Sequence, residues 1–183
     1  MKSLQGQLLV ASPQLLDPNF ARTLVLVVQH DDNGAFGVVV NRPVSKTVQE
    51  LWREVGSAPC HSRLPIYLGG PVPGPLLSLH AQPSLAESEP APGVFFAANK
   101  QHLDQLVLSE TPAYKIFVGH AGWGAGQLEN ELEQGAWRTM PAVPECVFST
   151  EEAIWEAAFR ELGHSLLKSM LQVNDLPPDP TVN

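Results

Sequence analysis

Apolar, β-branched runs alternate along the chain with stretches of helical period, and turn-forming residues separate them. Thr23-Leu-Val-Leu-Val-Val-Gln-His30 is almost entirely apolar, the pattern of a strand buried on both faces. Asp31-Asp32-Asn33-Gly34 then supplies turn chemistry, because Asn-Gly tolerates positive φ at little cost. Ala35 to Asn41 returns as a second strand. The pair predicts an antiparallel hairpin whose first strand is central in its sheet, since an edge strand would need polar protection. Further strands are predicted at 7–11, 65–68, 76–80, 94–98, 115–118 and around Val147.

Helical patterns fill the gaps. Thr47-Val-Gln-Glu50 has the spacing of a capping box, and Leu51, Trp52 and Val55 continue an apolar stripe. Asn99 is placed to cap a helix carrying Leu103, Leu106 and Val107. Ser149-Thr-Glu-Glu152 forms a second box ahead of the longest predicted helix. There Trp155, Phe159, Leu162, Leu166 and Met170 stack on one face. Residues 81–93 carry three prolines and read as a surface loop, and Pro177-Pro-Asp-Pro180 reads as an extended tail. The expected architecture is α+β: one compact domain over residues 1–174 with a large mixed β-sheet, short flanking helices and one longer C-terminal helix, then a tail over 175–183.

A chain of 183 residues with 44% hydrophobic and 16% charged residues can bury a substantial core. No apolar run approaches the roughly 20 residues that span a bilayer, and no signal-peptide pattern opens the chain. Two cysteines in unrelated contexts, Cys60 and Cys146, suggest free thiols and a cytoplasmic location. The net charge is −8, from 11 Lys and Arg against 19 Asp and Glu, with the basic residues scattered. Duplex DNA is bound by neutralising phosphates with clustered Lys and Arg, so direct DNA binding is not expected. Neither is membrane association.

Chemistry-bearing motifs are sparse. After the run Ile116 to Val118, residues 119–132 read Gly-His-Ala-Gly-Trp-Gly-Ala-Gly-Gln-Leu-Glu-Asn-Glu-Leu. The passage superficially suggests a phosphate-binding loop. A Walker loop would need Gly-Lys-Ser/Thr where Gly126-Gln127-Leu128 stands, and the dinucleotide pattern fails at Gln127. Glu129, Glu131 and Glu133 would also repel a phosphate at that helix N-terminus. A structural turn with Trp123 packed against the sheet fits better. No Gly-x-Ser-x-Gly elbow, His-x-His or His-Glu-x-x-His occurs. The single Glu161-x-x-His164 lacks the second such motif of a carboxylate-bridged metal pair. No catalytic residue, metal or cofactor is assigned. Asp17-Pro-Asn-Phe20 with Arg22, Asn41-Arg-Pro43 and Leu68-Gly-Gly-Pro-Val72 flank predicted strand ends. These polar groups either bond local amides and carbonyls or line a shared pocket.

Several blocks together are similar to the YqgE/AlgH family of bacterial proteins. They are Gly6 to Pro13, Asp17 to Phe20 with Arg22, His30 through Gly34-Ala-Phe-Gly37 to Asn41-Arg-Pro43, Leu68 to Val72, His80, and Gly119 to Glu129 with Trp137. The resemblance runs in order to the final Pro-Asp-Pro-Thr-Val-Asn. It implies a single α+β domain with a large mixed sheet in a cytosolic protein, and some members carry a transcriptional-regulator label. This chain departs from the family at His120, where tyrosine is common, and at Ala125, where proline is common. A mechanism that needs a tyrosine hydroxyl at 120 has none here. Two functions remain: a regulatory or protein-interaction module, or a small-ligand-binding or hydrolytic protein. The second needs the loops 17–22, 41–43, 69–72 and 122–129 to meet. Its ligand-binding candidates are Asp17, Arg22, Asn41, Arg42, Gly69, Gly70, Gln127 and Glu129. Either an unknown protein partner or a small molecule is implied, and the oligomeric state is left open.

Overall fold

The computed structural model describes residues 3–56, 59–109, 113–150 and 153–171. The chain runs β1 (Gln7–Ala11), β2 (Leu24–Asp31), β3 (Gly34–Val39), β4 (Pro43–Thr47), α1 (Val48–Val55), β5 (Pro65–Leu68) and β6 (Leu77–His80). A 3-10 turn at Pro83–Leu85 leads to β7 (Ser88–Ala91), β8 (Val94–Ala97), α2 (Lys100–Leu108), β9 (Tyr114–Val118) and β10 (Ala121–Gly124). The remaining elements are α3 (Gln127–Glu133), β11 (Trp137–Pro141), α4 (Pro144–Val147) and α5 (Ile154–Leu171).

The expected α+β fold is present, with its strands divided between two sheets. One is five-stranded and antiparallel, in the order β10-β3-β2-β1-β11. The other is six-stranded and mixed, in the order β4-β5-β9-β6-β8-β7, with β5 and β9 parallel. The sheets pack face to face. Leu8, Val10, Leu24, Leu26 and Val38 of the first meet Tyr67, Leu77, Leu79 and Phe117 of the second. Trp155, Ala158, Phe159 and Leu162 of α5 close one side of this core, and the Trp155 indole donates to Ala11 O at 2.9 Å. The Leu166 and Met170 side chains, Glu152 of the second predicted box and the tail lie outside the described residues.

Each sheet has a second buried face, which gives four layers. Beyond the five-stranded sheet, α3 and Phe20 cover Leu9, Val25, Val27, Val39, Trp123 and Trp137. Beyond the six-stranded sheet, α1 and α2 cover Ile66, Tyr114 and Ile116. Strand alternation therefore sends Leu24 and Leu26 to one core and Val25 and Val27 to another. This is why β2 is apolar at successive positions, and it is the middle strand of its sheet, as expected.

The β2–β3 register shifts between Val27 and Gln29. One extra residue in a strand reverses which face the following side chains occupy. Val28 points into the inter-sheet core, and His30, opposite Ala35, reaches the α3 side. At the hairpin, Asp31 Oδ1 accepts from Asn33 N at 2.8 Å and the positive φ falls on Gly34. The Thr47–Glu50 capping box is formed in full, and Asn99 caps α2.

Three local expectations change. Residues 81–93 contain the 3-10 turn and the edge strand β7, which pairs with β8. Pairing supplies the order that a proline-rich sequence conceals, and at an edge Pro90 costs no ladder bond that the sheet needs. Around Val147 the chain forms α4 rather than a strand, with Pro144 in the first turn, where its missing N–H is harmless. Ala121–Gly124 is strand β10, paired with β3 from Ala121↔Gly37 to Gly124↔Gly34. Glycine-rich composition hides that strand from any propensity argument.

Candidate functional site

The loop 17–22 and the segment 41–42 are bound to each other. Asp17 Oδ1 accepts from Asn19 N at 2.8 Å in an Asx turn. The Arg42 guanidinium donates to Asn19 O, Pro18 O and Ala21 O at 2.6, 2.9 and 3.2 Å. Partial burial lowers its pKa, against the opposing charge of Asp17. Asn41 accepts from Leu24 N at 2.8 Å and donates to Arg22 O at 3.0 Å. Arg22 adopts a left-handed φ of 58°, sits over the Trp155 ring at 5.1 Å and pairs with Glu156. It ties this loop to the first turn of α5.

Residues 69–70 adjoin the same cluster through the backbone. Leu68 N donates to Arg42 O and Val39 N to Gly69 O, joining the two sheets. Gly70 has φ 153°, and a Cβ there would strike the His120 carbonyl. Val72 and His120 form an isolated bridge.

Gln127 and Glu129 lie elsewhere. Gly126 caps α3 with φ 72°, Gln127 Oε1 accepts from Gly124 N at 3.0 Å, and Gln127 Nε2 donates to Glu131. Glu129 receives His30 Nε2–H at 2.8 Å, while His30 Nδ1 accepts from Leu4 N at 2.9 Å. The Leu4 bond fixes the tautomer, and together with the Glu129 contact it engages both ring nitrogens, so this His–Glu pair has no free nitrogen to act as a base. The Asn41 end and the Glu129 end of β2 are six residues apart, about 20 Å of extended strand. Loops 17–22, 41–43 and 69–70 meet; 127–129 does not join them. Among the described residues, no hydrogen bond or ion pair links Gln127 or Glu129 to that cluster.

Two of the concavities among the described residues bear on the site. An open one of about 230 Å³ lies at the hairpin, lined by Gln29, Asp31, Asn33, Gly34, Ala35, Phe36 and Trp123. A groove of about 190 Å³ lies between α1 and α2, lined by Trp52, Val55, Pro75, Leu76, Ala98, Lys100 and Leu103. The Trp52 indole donates to Asp104 Oδ1 at 2.8 Å, and Lys100 pairs with Asp104 at 3.2 Å. Nine large apolar side chains are exposed among the described residues. All but Leu16 and Val143 belong to the six-stranded sheet, its helices or their connections. Leu68 and Val118 are register neighbours, and by alternation they share the α1/α2 face with Ile66 and Ile116.

Reading residue types along the chain did not reveal this groove, nor the roles of three polar groups, two of them buried. Glu131 binds two tryptophans. Lys115 is buried between the sheets, where it donates to Val40 O at 2.8 Å and Ser149 O at 2.7 Å beneath the Tyr67 ring at 4.4 Å. Burial pulls its pKa from 10.5 to about 7. His80 is fully buried, and burial pulls its pKa from 6.5 to about 4. Its Nδ1 accepts from Gln82 N, whereas Nε2, the Tyr114 hydroxyl and Gln82 Oε1 have no hydrogen-bond partner among the described residues. A buried lysine inside an apolar strand pattern carries no periodic signal of its own. His80 stood out only as part of a family block.

The AlgH-like family matches residues 8–167. The protein belongs to this family. It is 37% identical over 168 residues to a UPF0301 protein of Myxococcus xanthus, covering 89% of this chain and 93% of that one. A UPF0301 protein of Streptomyces coelicolor is 35% identical over 195 residues, covering 100% and 97%. The solution structure of the AlgH protein from Pseudomonas aeruginosa superposes with a TM-score of 0.72 at 32% identity, over 96% of this chain and 100% of that one. A crystal structure of a protein from Corynebacterium diphtheriae shares the fold, with a TM-score of 0.70 at 24% identity over 88% of each chain. No helix among the described residues of this AlgH-like chain is long and apolar enough to cross a membrane.

Proposed function

We propose that this AlgH-like protein is a cytoplasmic regulatory module that acts through protein contacts, with the α1/α2 side of the six-stranded sheet as its working surface. One observation carries the reading: seven of the nine exposed large apolar side chains among the described residues belong to the six-stranded sheet, its helices or their connections, and one of them, Val55, lines an apolar groove there, as at protein-binding surfaces. The engagement of Asp17, Asn41, Arg42 and Gln127 in local bonds and the glycine contacts of residues 69–70 support it. Those groups act as straps rather than as ligand contacts. The unpaired cysteines fit a reducing compartment. A net charge of −8 favours regulation through proteins over duplex DNA.

The test is affinity capture from the native host with three purified chains. Wild type and Leu16→Glu should recover the same stoichiometric partner, and a Val55→Glu/Leu64→Glu variant should lose it while keeping the wild-type melting temperature. Recovery that is indifferent to Val55 and Leu64 would reject this surface. The ligand-binding alternative keeps one foothold, the hairpin concavity beside Asp31 and Trp123. A metabolite-induced melting shift that disappears in Asp31→Ala would favour it.

A further inference from the structure

His30 is held from two sides. Its side chain is 1% exposed, and its Nε2–H donates to Glu129 on α3 at 2.8 Å. From the other side Leu4 N donates to Nδ1 at 2.9 Å, and Ser3 Oγ donates to His30 O at 3.0 Å. The Leu4 side chain packs against the core that α3 covers. Residues 3–5 thus lie as a short arm against the imidazole.

The arm ends at Gly6, where φ is 77°. Gly6 N donates to Val27 O at 2.9 Å, and Gly6 O accepts from Ala142 N at 3.0 Å. From Gly6 onward the chain is therefore fastened to β2 and to the end of β11. Within the arm, Gln5 N donates to Ser3 Oγ at 3.2 Å and Gln7 N to Leu4 O at 3.0 Å. These bonds are local. The two His30 bonds and the Leu4 side chain are what tie the arm to the body.

Leu4 N can donate only to an unprotonated Nδ1. A proton taken from solvent onto Nδ1 turns that acceptor into a donor, and two N–H groups then face each other. A buried cation with a donor left unpaired is costly. The ring itself stays, because a carboxylate holds an imidazolium more strongly than a neutral imidazole. The arm is the part that moves. Charged neighbours act in the same direction: Glu129 on α3 and Asp31, next along β2, both favour the cation. Residues 3–5 and Ala35, opposite His30, carry no charge.

We propose that residues 3–5 form a pH-gated arm, closed over neutral His30 and opened when Nδ1 takes a proton, which releases Leu4 from the core beneath α3. The arm belongs to the outer layer opposite the α1/α2 side, so its failure leaves the interaction reading untouched.

The isotope-labelled full chain is followed by NMR from about pH 8 to about pH 5, the range in which imidazoles gain a proton. As the His30 ring signals report protonation, backbone order parameters of residues 3–5 fall from about 0.85 to below about 0.6, while those of β1 and β2 stay high. His30→Asn offers Leu4 N a carbonyl oxygen that takes no proton in this range, so its arm stays ordered throughout. Retained order in residues 3–5 after His30 is protonated overturns the proposal, and so does a ring that stays neutral over the whole range. Equal opening in His30→Asn would assign the motion to another group and overturn it too. Should that variant fail to fold, the wild-type titration decides alone.

Discussion

The carboxylate of Glu131 accepts the indole N–H of Trp137 at 2.8 Å, and the same oxygen accepts that of Trp123 at 2.9 Å. The two rings meet edge to face with centroids 6.2 Å apart, and Phe20 packs against both. Both tryptophans are almost fully buried, Trp123 at 6% and Trp137 at 2% exposure. One surface helix is thereby pinned to the two edge strands of the five-stranded sheet. Glu131→Ala leaves two indole donors without an acceptor and should cost about 2 kcal/mol or more. Glu131→Gln, which keeps an oxygen, should cost less. Urea denaturation of both variants checks this, and equal stabilities would show that water replaces the carboxylate.

The glycines of the 119–126 run should separate in their sensitivity. Gly126 sits at φ 72°, whereas Gly122 has ordinary φ and an added Cβ there would meet nothing within 4 Å. Gly126→Ala should destabilise by about 1 kcal/mol through backbone strain. Gly122→Ala should lie within about 0.5 kcal/mol of wild type. Thermal melts of the two variants provide the comparison. A larger loss for Gly122→Ala would contradict the φ assignment.

His80 predicts an acid-side loss of stability. The unfolded imidazole takes its proton near pH 6.5 and the folded one only near 4, so between these values the unfolded chain binds more protons. Stability therefore rises with pH across this window, by about 3 kcal/mol in total. In His80→Gln that contribution vanishes. The difference in unfolding free energy between variant and wild type should shift between pH 5 and 7, and a pH-independent difference would refute the burial effect.

Lys115 acts in a different window with the same sign. The folded ammonium releases its proton near pH 7 and the unfolded one near 10.5. The penalty of burying the charge is fully present below 7 and fades as pH rises towards 10.5, on the order of 3–5 kcal/mol over the whole range. Denaturation between pH 7 and 9 should show wild type gaining stability relative to Lys115→Met. Parallel profiles would mean that the carbonyls of Val40 and Ser149 keep the amine charged.

Much of the local structure was legible from residue order. The β2–β3 hairpin, β1, β5, the Thr47–Glu50 box and the Asn99 cap depend on neighbours within a few residues, and period and capping report such relationships directly. The blocks that carry the family resemblance belong to the same level, because they are ordered patterns in one chain.

Tertiary structure decided how those pieces meet. His30 and Glu129 are 99 positions apart, and the shift after Val27 turns His30 towards α3. No periodic pattern records a bulge, since it changes register against a partner strand rather than composition. Pairing with β3 made a strand of the glycine-rich 121–124, and pairing with β8 ordered 88–91 within the proline-rich stretch 81–93. The candidate polar residues split between the two ends of β2 for the same reason: strand length, not proximity in motif, sets their separation. Order along the chain determined most of the elements and the family. Which side chains share a face, and so where a partner can dock, was determined only when the two sheets and their covering helices packed.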